Sequence, residues 1–563
     1  MAQQFTLASQ RLGCLPVLNY FLDRIGLRRL LESYLPDDDA RLRVAPATVI
    51  GVTVANLVTG HRPVYALGEW AAGYQPGLLG LSPGQAEALN DDRVGRMLDR
   101  LFDTDRASLV TQTILGVIGE FDLDLTQLHN DSTTITVTGD YSEADGRARG
   151  GKKTAAIAHG HNKDFRPDLK QLLWILTVSA DGAVPIAYRV ADGNTVDDVT
   201  HIPTWDQLRS LVGTASFLYV ADSKLCSQQA MGHIDAHGGR FVTVVPHGRR
   251  EDTWFRDWAQ THAPTWAEAH RCPGARQDDP DKVWRTFEAP TPSANGYRMI
   301  WIHSSTKAAR DAAARAARVE AGLAAIEKVA ERLGSPKSRM KTLVAAQDAA
   351  TAALAKAGAT RWVGVTVAES TEETYRQERR GRPGTKTRYR RTEKPVFTLT
   401  AKVDAETVSY DAATDGCFPL VTNDREMTPA DVLAAYRYQP NLERRNHVLK
   451  GPQEVAPVYL ETPHRIEALL LCHFFAMLTE ALIEREIRTA MKTQGLTGIP
   501  LYPELRNCPA PSAPRILEIF ADLQRHQLHD GDQVVQAFEP DLSPLQHQVL
   551  DLLHVPATVY RPN

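Results

Sequence analysis

In the first 120 residues, apolar side chains recur with the period of an α-helix. Apolar side chains recur every three or four positions in VLNYFLDRIGLRRLLESYL, PATVIGVTVANLVTG and DDRVGRMLDRLFD, and Gly, Pro or Asp residues separate these segments. This spacing gathers the apolar side chains on one face, which predicts amphipathic helices from residue 12 to about 120. We therefore expect a helical N-terminal domain over residues 1–105.

The pattern then changes to that of strands. LHNDSTTITVTG alternates Ile135 and Val137 with threonines, and QLLWILTVS and VPIAYRVADGN flank the turn at 180–182, which predicts a hairpin. A helical segment, DDVTHIPTWDQLRSLVG, leads into the apolar run FLYVA, and Asp222 follows at once. An apolar run without alternation is typical of a central strand that is covered on both faces. Three antiparallel strands, a helix and a strand that ends in an acid form the order of an RNase H-like core, here expected over 106–240.

The regularity is lost between residues 241 and 414, where we expect an inserted domain. An Ala- and Arg-rich helical stretch is followed by the strand-like runs RWVGVTV and PVFTLTAKV, which flank a basic loop from Arg376 to Lys394. The core pattern resumes over 415–496 with the strand FPLVTND, a helix that starts at Thr428-Pro429, and a second helix that starts near Pro440. Residues 497–563 are predicted to form a helical C-terminal tail after a Pro-rich start.

Composition describes an ordinary globular chain. Hydrophobic residues make up 43% of the 563 positions and charged residues 23%, and the formal net charge is -4, so any affinity for DNA must come from local patches. The six cysteines are scattered without a CxxC pair, which favours a reducing cytoplasm over a disulfide or zinc framework. The most apolar run, which begins at Ala468, is interrupted by His473 and is too short to span a membrane, so we expect a buried core helix.

Three acidic residues are candidates for one site. Asp131 and Asp222 each lie on or just after a strand-like segment, and Glu443 lies on the helix that starts near Pro440. Three carboxylates on two strands and a helix suit two divalent metal ions, which is how proteins hydrolyse and transfer phosphodiesters. The alternative for each aspartate alone is a turn or cap residue.

The helix that carries Glu443 strengthens this interpretation. Glu443, Asn446, His447 and Lys450 stand at i, i+3, i+4 and i+7, which places a carboxylate and a cation on one face. A cation at that position suits a phosphate group. The alternative is an exposed charged helix with ordinary i,i+4 pairs.

The order of several motifs resembles one protein family. The motifs that carry the resemblance occur in the order found in bacterial insertion-sequence transposases of the DDE class: LNDDRVGRMLDRL, HNDSTTITVTG, HGHNKDFRPDLKQLLW, VADGNTVD, YVADSKL, FPLVTND, YRYQPNLERRNHVLKG and IPLYPELRNC. The chain is similar to the group that has a Y-R-E-K motif around the last acid, with Tyr436, Glu443 and Lys450 in the first, third and fourth places. Gln439 stands where that group has its arginine.

The resemblance implies an α/β fold: an RNase H-like core that is interrupted by a largely β insertion domain. It implies that Asp131, Asp222 and Glu443 are the catalytic residues and hold two Mg2+ ions, for which Mn2+ can substitute. It further implies that Tyr436, Lys450 and the residue at position 439 contact DNA, and that a hairpin forms at the transposon end, an implication that Gln439 weakens.

The basic loop is a second candidate contact with DNA. Its Gly, Pro and Thr content suits a flexible phosphate contact, while the alternative is a solvated charge run. Without DNA we expect this loop to be exposed and poorly ordered. The arginines that we expect to contact phosphates are Arg379, Arg380, Arg388, Arg390 and Arg391.

The sequence as a whole favours a cytoplasmic DNA transposase. We expect it to cleave at the terminal inverted repeats of its element and to join the 3′ ends to target DNA. Its expected partners are double-stranded DNA and a second copy in a homodimer, with no membrane, and the 1–105 region would bind DNA or mediate dimerisation. One alternative is a catalytically silent or domesticated DNA-binding protein, and another is an RNase H-like nuclease without strand transfer.

Overall fold

The structure is a computed structural model that describes residues 5–561 except 142–143, 275, 277, 334, 336–337, 339, 452–459, 461 and 532. The chain divides into two compact units. Unit 1 consists of Met1–Thr243 and Ala434–Asn563, and unit 2 consists of Val244–Leu433.

The helices follow one another along the whole chain. Their bounds are α1 Leu15–Ile25, α2 Leu27–Tyr34, α3 Pro46–Thr59, α4 Leu67–Ala72, α5 Asp91–Asp103, α6 Arg106–Phe121, α7 His201–Val212, α8 Gln228–Ala236, α9 Arg250–Trp258, α10 Ser305–Leu333, α11 Leu343–Ala357, α12 Ala405–Ala412, α13 Pro429–Tyr436, α14 Gln439–Lys450, α15 Pro463–Thr493, α16 Ala513–Glu518 and α17 Pro544–Leu552.

The strands begin at the N-terminus and continue into the tail. Their bounds are β1 Phe5–Arg11, β2 Gln127–Thr136, β3 Ala148–Arg149, β4 Lys152–Lys153, β5 Gln171–Ser179, β6 Pro185–Ala191, β7 Leu218–Ala221, β8 Arg240–Val244, β9 Ala267–Cys272, β10 Lys282–Glu288, β11 Arg298–Ser304, β12 Val363–Gln377, β13 Tyr389–Val403, β14 Cys417–Thr422, β15 Ile499–Tyr502, β16 Arg506–Cys508, β17 Gln524–Asp530 and β18 Gln533–Phe538.

Unit 1 contains a sheet with the strand order β6-β5-β2-β7-β8. Strands β2, β5 and β6 pair antiparallel, as the sequence pattern predicts, while β7 runs parallel to both β2 and β8. All four residues of β7 are buried, which agrees with the uninterrupted apolar run that predicted a central strand. Helix α7 contacts this sheet at β7, where Nδ1 of His201 lies 3.1 Å from the hydroxyl of Tyr219.

Helix α15 is the centre of unit 1. It packs against α1, α3 and α5 from the N-terminal helices, and also against β6, α14, α16 and α17. By length and composition this helix could cross a membrane, but its most apolar window is entirely buried inside the fold, as in the core helix of a soluble protein. The prediction that the apolar run from Ala468 lies in a buried core helix is confirmed, although the helix extends well beyond that run.

The N-terminal helices are predicted correctly, but they share the core of unit 1. Asp99 on α5 accepts hydrogen bonds from His464 and Arg465 on α15, each at 2.8 Å, and Arg106 on α6 pairs with Glu467 at 3.1 Å. Removal of residues 1–105 would expose the apolar surface of α15. That deletion is therefore not a clean test of DNA recognition by this region.

The tail is not purely helical, so the prediction for residues 497–563 has to be corrected. Strands β17 and β18 form an antiparallel hairpin, and β1 pairs with β17 from Phe5 opposite Asp530 to Arg11 opposite Gln524. Five of the seven residues of β1 are exposed, and its partner lies at the other end of the chain. An exposed strand with a distant partner leaves little local signal in the sequence.

Unit 2 has a sheet, an aromatic core and two long helices. Strands β14, β11, β10 and β9 pair in this order, each antiparallel to the next. The rings of Phe255 and Trp301 stack at 3.7 Å in its core. Helices α10 and α11 pack on the base of the β12–β13 hairpin around Ile326, Leu354 and Val363.

Unit 2 is a mixed α/β unit, so the expectation of a largely β insertion is wrong. Helix α10 alone has 29 residues and α11 has 15. The Ala-rich sequence explains this, because alanine has the highest helix propensity. The unit also extends to Leu433, beyond the predicted limit at 414, and includes the strand FPLVTND, which pairs with β11.

Candidate functional site

Two of the predicted acids lie side by side in the sheet of unit 1. Strands β2 and β7 are parallel and in register from Gln127 opposite Leu218 to Asn130 opposite Ala221. Asp131 is the next residue of β2, and Asp222 is the first residue after the end of β7. Residues at matching positions of neighbouring parallel strands point to the same face of the sheet. The two carboxylates therefore lie on one face, next to each other.

Helix α14 brings the third acid to this place. Asn446 Nδ2 donates a hydrogen bond to Asp131 Oδ2 at 3.2 Å. Glu443 stands three residues before Asn446 and therefore lies on the same helix face. The carboxylate of Glu443 contributes to the electrostatic environment of Asp131. The structure thus brings the three predicted acids together, while their catalytic role stays a prediction.

The carboxylates destabilise one another's charged forms. Burial raises the pKa of Asp131 to about 6, Lys163 opposes this increase, and the charges of Asp222 and Glu443 add to it. Burial is also the main cause that raises the pKa of Asp222, with Lys163 again acting in the opposite direction. A site where burial and like charges raise carboxyl pKa values is one that a cation would stabilise.

We call Asp131, Asp222 and Glu443 the carboxylate cluster. Tyr436 lies beside this cluster, at the end of α13. Burial raises the pKa of its phenol to about 12, and the charges of all three acids raise it further. The phenol therefore keeps its proton at physiological pH and remains a hydrogen-bond donor. Its predicted contact with DNA is compatible with this position.

Gln439 is buried, and the prediction that it contacts DNA has to be corrected. Its side chain amide donates from Nε2 to the carbonyl of Asn130 at 3.1 Å, and its Oε1 lies 2.9 Å from His129 Nδ1. Only 6% of Gln439 is exposed, and His129 is fully buried. Burial lowers the pKa of His129 to about 4, so the ring is neutral and can donate one hydrogen bond to Gln439. Gln439 therefore fixes α14 to β2, and its side chain is not available at the surface to contact DNA.

Lys450 is already paired inside unit 1. Its ammonium group donates to Asp164 Oδ1 at 2.6 Å, and Asp164 Oδ2 accepts from Thr136 at 3.1 Å. The side chain of Lys450 is 24% exposed. A contact of Lys450 with phosphate stays a prediction, and it would compete with the carboxylate of Asp164.

Sequence reasoning missed two residues beside the carboxylate cluster, Lys163 and Asp197. Lys163 Nζ lies 3.0 Å from Asp197 Oδ2 and 4.0 Å from Asp131 Oδ1. Asp197 begins the short 3-10 helix Asp197–Thr200 that precedes α7. Asp197 is the last residue of the motif VADGNTVD, but an acid at the start of a helix is usually interpreted as a favourable charge near the N-terminus, so its position beside Lys163 was not predicted.

The donor set suits a hard divalent cation, because Mg2+ prefers carboxylate and amide oxygens. Asn446 Oδ1 adds a buried oxygen that has no hydrogen-bond partner. In the part of the chain that the structure describes, however, no group of three or more His, Cys, Asp or Glu side chains is arranged to hold a metal ion. The oxygens therefore fit such an ion by type and charge, and the carboxylates would have to draw closer around it.

The basic stretch 376–394 forms the outer part of the β12–β13 hairpin in unit 2. The strands pair from Val363 opposite Val403 to Gln377 opposite Tyr389, so only residues 378–388 form the connecting loop. The predicted exposure is correct, but the stretch from Arg376 to Lys394 is not a single loop, because its two ends belong to the paired strands. Arg391 pairs with Glu373 and with Glu393, which leaves it less available to phosphate than its neighbours. We call the remaining predicted arginines the ribbon tip: Arg379, Arg380, Arg388 and Arg390, all of them exposed.

Comparison with known proteins gives one family match. Residues 7–115 match the model of a domain of unknown function, DUF4277. This domain is found in transposases. The match supports a transposase. It covers less than half of the chain and does not distinguish the Y-R-E-K group from others.

Two further comparisons add no argument about function. A search of the curated proteins finds no match. Among solved structures, the chain is similar to a cryo-EM structure of the piggyBac transposase synaptic complex with hairpin DNA, at 8% identity and a TM-score of 0.34, over 92% of this chain and 82% of that chain. A likeness at this score is too weak to assign the fold or the chemistry.

Proposed function

We propose that the protein is a DDE-type DNA transposase that cleaves at the terminal inverted repeats of its element and joins the 3′ ends to target DNA. The observation that carries this proposal is the meeting of Asp131, Asp222 and Glu443 at one place in unit 1. The strand order β6-β5-β2-β7-β8 supports an RNase H-like core, because Asp131 lies on its first strand in chain order and Asp222 directly follows its fourth. The resemblance to the Y-R-E-K group supports the finer assignment.

The three acids would hold two Mg2+ ions, with Asn446 Oδ1 as a further oxygen near Asp131. When bound, such ions activate a water or a 3′-hydroxyl and stabilise the entering and leaving oxygens of an in-line displacement. The chain's own task is to orient the acids. Gln439 does this by fixing α14 to β2 one residue before Asp131, and Asn446 does it by holding Asp131 Oδ2 directly.

Phosphate groups of the DNA would meet donors on the same side of unit 1. Tyr436 offers a protonated phenol, and Lys450 offers an ammonium group once it exchanges Asp164 for a phosphate. Both groups would neutralise or orient the backbone without reading bases. In unit 2 the ribbon tip would contact phosphates through its four arginines, which makes that contribution independent of sequence and dependent on salt. The joining of two element ends favours a homodimer in the DNA complex.

The test is an assay with labelled inverted-repeat DNA, a target plasmid and Mg2+. We expect nicking at the repeat ends followed by joined products. Asp131→Ala, Asp222→Ala and Glu443→Ala are expected to abolish both products while DNA binding and circular dichroism stay at the wild-type level. Binding without cleavage by the wild type would favour a catalytically silent DNA-binding protein, and cleavage without joining would favour a nuclease.

A further inference from the structure

Lys163 places a positively charged side chain beside the carboxylate cluster. Its ammonium group donates to the carbonyl and the hydroxyl of Ser132, at 2.6 and 2.8 Å. It lies 3.0 Å from Asp197 and 4.0 Å from Asp131, and 27% of its side chain is exposed. Asp197 is therefore its close partner, while Asp131 is a neighbour beyond hydrogen-bond distance.

Asp197 is well shielded from solvent at this position. Its side chain is 15% exposed, and its charge acts on Asp222 as well as on Lys163. The neighbouring acid of the same 3-10 helix behaves differently: Asp198 is 49% exposed and lies 3.8 Å from Lys224. Of these two acids, Asp197 is the one that forms an ion pair with Lys163.

A second observation points to a ligand at the same place. Asn446 is 6% exposed, its Nδ2 holds Asp131, and its Oδ1 has no hydrogen-bond partner. A buried acceptor without a donor is costly unless a ligand satisfies it. The acids alone would not define a site, but here the amide group that holds Asp131 through Nδ2 also carries a buried, unsatisfied oxygen.

We propose that Asp197 is a positioning residue that keeps Lys163 away from Asp131, so that the Asp131 carboxylate stays available to a divalent cation. The inference rests on the proposed function, since the cation is the one that the transposase chemistry requires. If Asp197 lost its charge, the ammonium group would find its nearest anion in Asp131. It would then neutralise the carboxylate that the cation needs and compete with that cation.

The test is a double-variant cycle in which Mn2+ is titrated calorimetrically into the full-length protein without DNA. Asp197→Asn is expected to weaken Mn2+ binding about tenfold, because one ammonium group now competes at Asp131. Lys163→Met is expected to bind Mn2+ at least as tightly as the wild type. The double variant is expected to recover to within about threefold of the wild type, because the competitor is gone. Asp198→Asn is the matched control and should stay within about twofold.

The recovery in the double variant is what a merely structural role would not produce. Losses that add in the double variant would overturn the proposal, and so would unchanged Mn2+ binding in Asp197→Asn. If Lys163→Met fails to fold because Ser132 loses its partner, Lys163→Gln completes the same cycle with a neutral donor. Absence of Mn2+ binding by the wild type would overturn both this inference and the metal site of the proposed function. Mn2+ binding with the expected cycle but without DNA cleavage would overturn only the transposase activity.

Discussion

Replacement of Asp131 by asparagine should stabilise the protein in the absence of divalent cations. The pKa of Asp131 is raised from 3.8 to about 6, chiefly by burial and further by the charges of Asp222 and Glu443. A group with a raised folded-state pKa binds more protons in the folded state, so an acid of this kind lowers stability as the pH rises through that range. The shift of about two pKa units corresponds to about 3 kcal/mol at pH 8, and most of it develops between about pH 4 and pH 6.

Urea unfolding of full-length Asp131→Asn and wild type in EDTA measures this difference. We expect the variant to be more stable by about 3 kcal/mol at pH 8 and by less than about 1 kcal/mol at pH 4. Asp198→Asn is the control, because its carboxylate is half-exposed and pairs with Lys224 instead of Lys163. Equal stabilities at both pH values, or a variant that is less stable at pH 8, would show that burial and the neighbouring carboxylates do not raise the pKa of Asp131 in the folded protein.

Three further predictions concern the support of the site and its reach to DNA. Arg445→Met should lower the free energy of unfolding by about 3 kcal/mol in chemical denaturation, the lower end of the range for a broken buried pair, because Glu484, 6% exposed, loses the partner 2.9 Å away but keeps Arg488 at 3.3 Å. Gln439→Leu should lower the free energy of unfolding by about 1–3 kcal/mol in the same measurement, since His129 and a backbone carbonyl lose their hydrogen bonds. An unchanged stability in either variant would contradict the packing described for α14. Replacement of the ribbon tip arginines by glutamine should reduce the slope of log affinity against log salt by about 3–4 for every duplex tested, whereas a wild-type slope would make the ribbon a solvated charge run.

Strands β2, β5, β6 and β7 of unit 1 were predictable because they carry strong local patterns, whereas β8 falls at the start of the stretch where we expected the inserted domain. The hairpin at 180–182 has a turn signal between two apolar runs, and FLYVA is apolar throughout. Helix α14 was predictable from Pro440 and from the spacing of Glu443 and Lys450. These elements place the three acids, which is why the centre of the candidate site could be predicted without a structure.

The remaining parts depend on contacts that the sequence does not show. Gln439 appears as one polar residue of a charged helix, and only the fold reveals that its amide is buried against His129. Asp197 lies beside the cluster because it pairs with Lys163, which is 34 positions earlier in the sequence. Strand β1 finds its partner more than 500 residues away, at β17. Side-chain partners across such distances are set by tertiary packing, which local periodicity does not encode.

The central claim is that Asp131, Asp222 and Glu443 form one site for divalent cations. Its most direct test is a crystal of the full-length protein soaked in Mn2+, with anomalous difference maps to locate the ions. The account predicts two peaks about 3.5–4 Å apart among the three carboxylates, with Asn446 Oδ1 close to one of them. A map without peaks at this cluster, or with the ions bound elsewhere in the chain, would contradict it.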